Sequence, residues 1–320
     1  MTRARRRWSS MADPIETPQR LGFIGLGVMG GPMAGHLAAA GYTVTAYDLG
    51  SAAIERLQAL HPRVTAAATP AALAASCDIV ITMLPSGREV REVALGPDGL
   101  IEGFKPGALL LDTSSAEPWL TQEVAARLAG VGVAMVDAPV SGAEVGAKAA
   151  ELVFMVGGDA ADVARVTPIL EVLGKAHFHL GPIGSGHVMK AINNLISAVT
   201  LTATTEGLLA GVSYGLDPVV MNDVLDVSTG MSWVSQTHFR SRVFNRKFDD
   251  AFKFDLMKKD VDIANRLAAD HELDLPHFGL VQNLWAAIQA DAPRGASISH
   301  LVRALEAKAG IELKPKATEL

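Results

Sequence analysis

The sequence LGFIGLGVMG, residues 21–30, decides the fold of the first half of this 320-residue chain. A short apolar run is followed at once by glycines in the spacing GxGxxG and then by a helix-like stretch. In a strand, turn and helix of this kind, Gly25 permits the tight turn, Gly27 lets the backbone approach a phosphate, and Gly30 lets the helix pack close to its strand. The stretch therefore predicts a pyrophosphate site at a helix N-terminus.

Asp48 follows the next apolar run and indicates which dinucleotide this turn binds. A carboxylate at the end of that strand accepts hydrogen bonds from ribose hydroxyls and repels a 2'-phosphate, so we expect NAD to be preferred over NADP. Leu49 and Gly50 stand where an NADP site would present a cation. The alternative is an aspartate that only caps the following helix. The residues expected to bind the cofactor are Gly25, Gly27, Val28, Met29, Gly30 and Asp48.

Further short apolar runs at residues 79–84, 108–112 and 133–139 alternate with helix-length connections. Runs that are apolar on both faces are typical of buried parallel strands covered by crossover helices. They predict an α/β fold, a doubly wound Rossmann-type sheet, over residues 20–183. We expect residues 1–19 to be a mobile extension that precedes it.

The glycine-rich sequence GPIGSG at residues 181–186 predicts a domain boundary. Small and apolar residues then recur at helical spacing over residues 188–212, which favours a helix packed on several sides. We expect residues 184–310 to form an all-helical substrate and oligomerisation domain, and residues 311–320 a loose tail. Further helix starts are predicted at Pro218, Pro276 and Pro293.

Composition excludes several classes of protein. With 49% hydrophobic and 19% charged residues the chain can build large cores. A balance of 28 Lys and Arg against 34 Asp and Glu gives a net charge of -6, which argues against a nucleic-acid partner. The single Cys77 and the lack of zinc-type Cys/His spacing predict no disulfide and no metal, and fit a cytoplasmic protein. No membrane association is expected, because the uncharged stretch at residues 21–47 is interrupted by glycines and Pro32.

The sequence DAPVSG, residues 137–142, ends one of the predicted strands, where ligands bind in open α/β sheets. Ser141 offers a hydroxyl, and the turn at Ser141 and Gly142 can direct backbone N–H groups at a substrate carboxylate. The alternative is an ordinary turn rich in proline and glycine.

The sequence GSGHVMKAINN, residues 184–194, places Lys190 one turn into a helix with Asn194 at i+4 on the same face. A lysine is a base near neutral pH only if its pKa is lowered, and its apolar neighbours, the helix N-terminus and a positively charged cofactor would each lower it. The alternative is a lysine on a solvated helix face.

Two more segments are candidates for the site. In FDLMKKD, residues 254–260, adjacent lysines point to different faces, so only one can face inward. The other candidate is Trp233, which lines a substrate pocket or fills a core.

Four motifs occur in one order along the chain: GLGVMG, DAPVSG with the downstream FMVGG at residues 154–158, GSGHVMKAINN and LMKKD. The same order is found in the β-hydroxyacid dehydrogenase family, which the chain resembles over residues 20–305. The resemblance implies reversible hydride transfer between NAD and the β-carbon of a small 3-hydroxy acid of the 3-hydroxyisobutyrate type, giving a semialdehyde. It also implies a homodimer or homotetramer. The implied roles are catalysis by Lys190 and Asn194, substrate binding by Ser141, Gly142 and Asn194, contacts that flank the cofactor by Leu84, Pro85 and Ser115, and a position near the nicotinamide for Lys259.

The chain departs from the family pattern at Ala143, where many relatives have a second glycine, and at residues 149–151, where a glycine usually precedes the FMVGG strand. Substrate choice therefore stays open between hydroxyisobutyrate and a semialdehyde reductase substrate such as tartronate semialdehyde. The 6-phosphogluconate dehydrogenases share the mechanism, but their helical domain is longer and they have a second phosphate-binding cluster. A different class is a regulatory protein that binds NAD without catalysis, and the intact Lys190 and Asn194 argue against it.

Overall fold

The computed structural model describes residues 19–315. The extension predicted at residues 1–19 falls outside them apart from Gln19, as do residues 316–320 of the predicted tail. The described residues form a nine-stranded sheet and a set of helices that covers it and continues beyond it. The strands are β1 Arg20–Ile24, β2 Thr43–Tyr47, β3 Thr65–Ala66, β4 Ile79–Thr82, β5 Leu109–Asp112, β6 Ala134–Asp137, β7 Val140–Ser141, β8 Leu152–Gly157 and β9 Gly174–Gly181.

The helices fall into two groups. The first group connects the strands: α1 Gly30–Ala39, α2 Ser51–Leu60, α3 Pro70–Ser76, α4 Gly87–Leu95, α5 Leu100–Gly103, α6 Pro118–Ala129, α7 Ala143–Ala149 and α8 Ala160–Leu173. The second group follows the last strand: α9 Ser185–Tyr214, α10 Pro218–Asp226, a π-helix at Val234–Val243, α11 Phe254–Asp270, α12 Pro276–Ala290 and α13 His300–Ala309.

The sheet has the strand order β3-β2-β1-β4-β5-β6-β8-β7, with β9 beside β8. Strands β1 to β6 pair in parallel, and the direction of strand order reverses between β1 and β4. Ligands bind at such a switch point in open α/β sheets, and the glycine turn after β1 lies there. The predicted doubly wound fold with a helical second part is confirmed.

The far edge of the sheet is mixed, which the expectation of parallel strands did not include. Strand β8 runs antiparallel to β6 and β7. The apolar run at residues 133–139 is one strand only as far as Asp137; after a break at Ala138 and Pro139 the chain continues in the same direction as β7, since β6 and β7 both pair antiparallel with β8. A proline has no N–H to donate to a ladder, so the strand ends before it.

Both faces of the sheet are covered by helices. The consecutive residues Ile79, Val80 and Ile81 of β4, and Leu109 to Leu111 of β5, are all fully buried. Because successive side chains of a strand point to opposite faces, full burial of neighbours means that each face packs against a helical layer. These layers hold the central strands rigid and position the loops at their carboxyl ends.

The helical part has a core of its own around α9, which packs against α10, α11, α12 and α13. The helix predicted over residues 188–212 lies within α9, and α10 and α12 begin at the predicted Pro218 and Pro276. The helix start predicted at Pro293 is wrong. Residues 296–298 are held against the segment before α11 by bonds from the Phe254 N–H to the Ala296 carbonyl and from the Ile298 N–H to the Phe252 carbonyl.

The segment predicted as a loose tail is partly packed. Leu313 is fully buried in the helical core, and its N–H donates to the carboxylate of Glu306 on α13 at 2.7 Å. The hydrophobic side chain of Leu313, which the sequence pattern did not single out, explains why residues 311–315 follow the surface of the helical core.

Helix α9 is long and apolar enough, by length and composition alone, to span a membrane. Within the described residues it is the one helix that meets this test, and 39% of its most apolar window is buried inside the protein. Long core helices share these features, so the finding is weak support for a membrane segment.

Helix α7 begins and ends at alanines in the left-handed backbone region. Ala143 has φ +52° and Ala150, which ends the helix, has φ +54°. The left-handed region brings a Cβ close to the following carbonyl, so an alanine is strained where a glycine is not. These are the positions at which the chain departs from the glycines of the family pattern.

We predict that Ala150→Gly raises the free energy of unfolding by about 0.5–1 kcal/mol, since relief of the left-handed strain exceeds the extra chain entropy of glycine. Ala149→Gly, at the last helical residue beside it, is the matched control and lowers stability by about 0.5–1 kcal/mol. Urea unfolding of the three proteins measures both values. A destabilised Ala150→Gly protein would contradict the strain.

Candidate active site

The glycine turn lies between β1 and α1 and is shaped by close packing. A Cβ on Gly25 would meet the Met83 carbonyl at 2.3 Å, and one on Gly30 would meet the Gly25 carbonyl at 1.9 Å. A Cβ on Gly27, in contrast, would meet nothing within 4 Å. Gly25 and Gly30 are therefore required by the fold, whereas Gly27 leaves open space against its backbone, as a bound phosphate needs. Helix α1 has no side-chain cap at Met29 and no acidic residue in its first turn, and Val28 is exposed.

Asp48 connects the end of β2 to this turn. Its Oδ2 accepts a hydrogen bond from the Leu26 N–H at 2.7 Å, and its Oδ1 accepts one from the Gly50 N–H at 2.8 Å. The carboxylate is half-buried and keeps further acceptor capacity for hydroxyl groups. Its neighbour Leu49 is 96% exposed, and the nearest basic residue along the chain, Arg56, is exposed on α2. The residues present fit a dinucleotide with a free 2'-hydroxyl.

Lys190 is the sixth residue of α9 and is half-buried. Within residues 19–315 its ammonium takes part in no hydrogen bond or ion pair. Burial lowers the pKa of Lys190 below its ordinary value of 10.5, nearby Asp260 opposes this, and Lys259 lowers the pKa further. An amine in this environment gives up its proton more readily than a surface lysine does.

Asn194 stands one turn after Lys190 and is bound to α11. Its Nδ2 donates to Asp260 Oδ2 at 2.5 Å, and its Oδ1 accepts from Asn193 Nδ2 at 3.1 Å. Asp260 is 1% exposed, and its other oxygen lies 3.2 Å from Lys259 Nζ. The structure thus brings together Lys190 and Asn194 of α9 with Lys259 and Asp260 of α11.

Lys259 also joins this group to the sheet. Its Nζ donates to the carbonyl oxygens of Ser115 and Pro85, the latter at 3.3 Å. Leu84 and Pro85 follow β4, Ser115 follows β5, and the two loops are tied together by the Leu84 N–H, which donates to Ser114 Oγ at 2.9 Å. Lys259 is therefore the lysine of the predicted pair that contacts the Pro85 and Ser115 loops, while Lys258 pairs with Asp262 at 2.6 Å; both side chains are largely buried, so the expectation that only one lysine faces inward is wrong.

Ser141 and Gly142 lie at the other end of the DAPVSG segment. Ser141 is half-buried in β7, and its hydroxyl makes no hydrogen bond among the described residues. Gly142 has φ +132° and is the N-cap of α7. No hydrogen bond within residues 19–315 joins either residue to Lys190, so their part in substrate binding stays a prediction.

No hydrogen bond among the described residues connects Trp233 to Lys190, Asn194 or Ser141. It precedes the π-helix, is 56% exposed, and has its ring 5.9 Å from that of His238. A side chain this exposed does not fill the core of a single chain, so that alternative is wrong. Its predicted contact with substrate stays a prediction.

Asp260 is a site residue that the sequence reasoning quoted but gave no role. It shares one stripe of α11 with the buried Met257, Val261 and Ala264. An acidic residue at a position where the helical period demands an apolar one is the signal that could have found it. Among the described residues there is no cluster of three or more His, Cys, Asp or Glu side chains able to hold a metal ion.

Comparison with known proteins gives matches over both halves of the chain. Residues 20–181 match the family model described as the NAD binding domain of 6-phosphogluconate dehydrogenase. Residues 184–305 match the family model described as NAD-binding of NADP-dependent 3-hydroxyisobutyrate dehydrogenase.

Individual relatives agree with these matches. The chain is 35% identical to the NAD-dependent L-serine dehydrogenase of Pseudomonas aeruginosa over 88% of its own length and 96% of the relative's. It is 36% identical to the 3-hydroxyisobutyrate dehydrogenase of the same organism over 85% and 93%. Among solved structures, the 3-hydroxyisobutyrate dehydrogenase of Mycobacterium tuberculosis with L-serine has a TM-score of 0.82 at 30% identity, over 90% of this chain and 99% of that one.

These relatives match nearly end to end, over 85–90% of this chain and 93–99% of their own length. The chain belongs to the β-hydroxyacid dehydrogenase family, oxidoreductases that use a nicotinamide cofactor.

Proposed function

We propose that this protein catalyses the reversible NAD-dependent oxidation of a small 3-hydroxy acid of the 3-hydroxyisobutyrate type to its semialdehyde, with Lys190 as general base and acid. The observation that carries the proposal is the half-buried amine of Lys190, which has no hydrogen-bond or ion-pair partner among the described residues, beside Asn194 and the Lys259–Asp260 pair. Lys259 in turn contacts the loops at Pro85 and Ser115 that flank the cofactor in the family.

In the direction of oxidation, Lys190 takes the proton of the substrate hydroxyl while the hydrogen on the same carbon leaves as a hydride, and the C–O single bond becomes the aldehyde C=O. The bound nicotinamide supplies the hydride acceptor. In reduction, the Lys190 ammonium returns the proton to the oxygen.

The remaining residues position the reactants. Asn194, fixed by its bond to Asp260, holds the lysine or the substrate hydroxyl. Ser141, whose hydroxyl is free, and the Gly142 backbone hold the substrate carboxylate so that the β-carbon meets the nicotinamide. The residues that flank the nicotinamide are Leu84, Pro85, Ser115 and Lys259.

NAD is the proposed cofactor in preference to NADP. The support is the Asp48 carboxylate, directed toward the glycine turn by the Leu26 N–H, with no cation at Leu49 or Gly50. A negative charge there repels a 2'-phosphate and accepts hydrogen bonds from a free ribose.

The substrate side chain is the least constrained part of the proposal. L-serine is itself a 3-hydroxy acid, and one relative is named an NAD-dependent L-serine dehydrogenase. L-serine is therefore a candidate substrate of the same class. Tartronate semialdehyde reduction is the second candidate, since it uses the same acid and base. A non-catalytic NAD-binding protein would need no lysine of lowered pKa.

A homodimer or homotetramer in the cytoplasm is part of the proposal. Val220, Val224 and Val227 are spaced along one side of α10 and its end, and they are 60%, 56% and 86% exposed. An exposed apolar stripe of this kind favours contact with another copy of the chain. The buried free thiol of Cys77 is compatible with a reducing compartment.

Replacing the proposed base tests the function directly. We expect Lys190→Met to reduce kcat for 3-hydroxyisobutyrate about 10²- to 10⁴-fold, because proton transfer is lost. Binding of NADH, followed by its fluorescence, stays unchanged. Lys105→Met, at an exposed lysine outside the site, is the matched control and keeps full activity. A panel of 3-hydroxy acids that includes L-serine, assayed with NAD, together with tartronate semialdehyde, assayed with NADH, identifies the substrate, and the absence of turnover with every member would refute the proposal.

The cofactor proposal has its own test. The wild-type protein is expected to have a kcat/KM at least about tenfold higher with NAD than with NADP, equivalent to roughly 1.4 kcal/mol. Asp48→Asn narrows this ratio because it removes the charge that repels the phosphate while retaining an acceptor oxygen. A tenfold preference of the wild-type protein for NADP would contradict the role of Asp48.

Two neighbours of Lys190 should move the pH profile in opposite directions. Oxidation needs the neutral amine, so its rate rises as pH increases through the pKa of Lys190. Asp260 raises that pKa and Lys259 lowers it. Asp260→Asn should therefore shift the rise in kcat to lower pH, and Lys259→Met should shift it to higher pH. Shifts of the same sign in both variants would rule out Lys190 as the titrating base.

A further inference from the structure

Three sequence motifs meet at one buried carboxylate that the proposed chemistry does not use. Asp137, at the end of β6, is fully buried. Its Oδ1 accepts from the Gly184 N–H at 2.7 Å, and its Oδ2 accepts from the His187 N–H at 2.8 Å. Gly184 is the N-cap of α9 and has no side chain with which to cap it. Asp137 therefore supplies, from the sheet, the cap that the sequence of α9 lacks.

Glycines make the room that this carboxylate needs. A Cβ on Gly157 would stand 2.4 Å from Asp137 Oδ1. A Cβ on Gly186 would stand 2.8 Å from Asp137 Oδ2 and 2.2 Å from the Met155 carbonyl. The glycines of FMVGG and GSG thus allow the first turn of α9 to press against the ends of β6 and β8.

The ring of His187 continues this connection toward the cofactor side. His187 is 1% exposed, and its Nε2 donates to the Ser114 carbonyl at 3.0 Å, since a carbonyl can only accept. Its Nδ1 lies 2.8 Å from Thr121 Oγ1 on α6. Ser114 in turn accepts from the Leu84 N–H through its hydroxyl.

His187 and Lys190 are three residues apart on one helix, so their side chains neighbour each other along it. Hydrogen bonds therefore connect Leu84 to Ser114 and Ser114 to His187. The backbone of α9 connects His187 to Lys190. The Asp112 and Asp137 carboxylates, 3.7 and 3.6 Å from the ring nitrogens, flank the imidazole on the sheet side.

We propose that His187 is a positioning residue, which fixes the first turn of α9 against the Ser114 loop and so sets the placement of Lys190 relative to the nicotinamide. The inference rests on the proposed function of Lys190. In this role His187 acts through the Ser114 carbonyl and the helix backbone, not by contact with substrate or cofactor.

A loss of this hydrogen bond affects chemistry more than binding. The substrate carboxylate and the dinucleotide are held by other residues, so their affinities depend little on the first turn of α9. Hydride and proton transfer, however, require the reacting atoms in one geometry, and a displacement of the order of 1 Å can slow them about 10²-fold.

The test compares His187→Leu with His187→Gln in the full-length protein. Leucine removes both ring hydrogen bonds, whereas glutamine can donate to Ser114 and accept from Thr121. We expect His187→Leu to lose roughly 10- to 100-fold in kcat, with KM for substrate and the affinity for NADH nearly unchanged. His187→Gln restores most of the loss. With 3-hydroxyisobutyrate deuterated at the reacting carbon, the kinetic isotope effect on kcat should rise in His187→Leu and return toward the wild-type value in His187→Gln.

If His187 is merely structural, His187→Leu lowers the melting temperature and leaves kcat and the isotope effect of the folded protein unchanged. That result would overturn the proposal. If His187→Leu does not fold, Thr121→Val removes the Nδ1 contact and the bond from Thr121 Oγ1 to the Glu117 carbonyl within α6 but keeps the Nε2 bond, and the expected result is a smaller fall in kcat with a raised isotope effect. A wild-type kcat and isotope effect in Thr121→Val would likewise overturn it. Lack of turnover by the wild-type protein would refute the proposed function, and the positioning role with it.

Discussion

The carboxylate of Asp137 is the point on which the arrangement of the two halves depends. A fully buried carboxyl group is tolerated only where hydrogen bonds replace its hydration, and here the replacement comes from the first turn of α9. The dependence is mutual, because a helix that begins Gly-Ser-Gly has few local means to satisfy its own N–H groups. The orientation of the lysine-bearing helix is thus determined at the edge of the sheet that also carries the loops beside the cofactor.

Around Lys190 the structure balances opposing charges. Burial and Lys259 favour the neutral amine, whereas Asp260 favours the ammonium. Neither neighbour is independent, because Asp260 is engaged by both Asn194 and Lys259, and Lys259 reaches the carbonyls of Ser115 and Pro85. In the proposed reversible reaction the base must both gain and lose a proton, and the lowered pKa of Lys190 favours the loss.

Much of this arrangement could be predicted from local sequence patterns. The strand-turn-helix around Gly25 and the i+4 spacing of Lys190 and Asn194 are local, so periodicity and turn chemistry find them. Lys259 is assigned to the nicotinamide by resemblance alone; the structure places it against the carbonyls of Pro85 and Ser115, and its role stays a prediction. The antiparallel direction of β8 and the extended segment after Pro293 could not be predicted from local patterns, because each depends on partners distant in sequence. The roles of Asp260, Asp137 and His187 are of the same kind, since a buried polar residue acquires its function only from what the fold places beside it.

The capping of α9 by Asp137 also bears on how this family can diversify. The boundary between β9 and α9 is the obvious position at which to exchange one half of the chain with that of a relative. The hydrogen bonds, however, run across the joint, so a chimera assembled there inherits its helix cap and the space for it from the other parent. Recombination should succeed where both parents retain the aspartate and the small residues that surround it. Selection therefore acts on this contact surface between the two halves as well as on the exchanged chain segment.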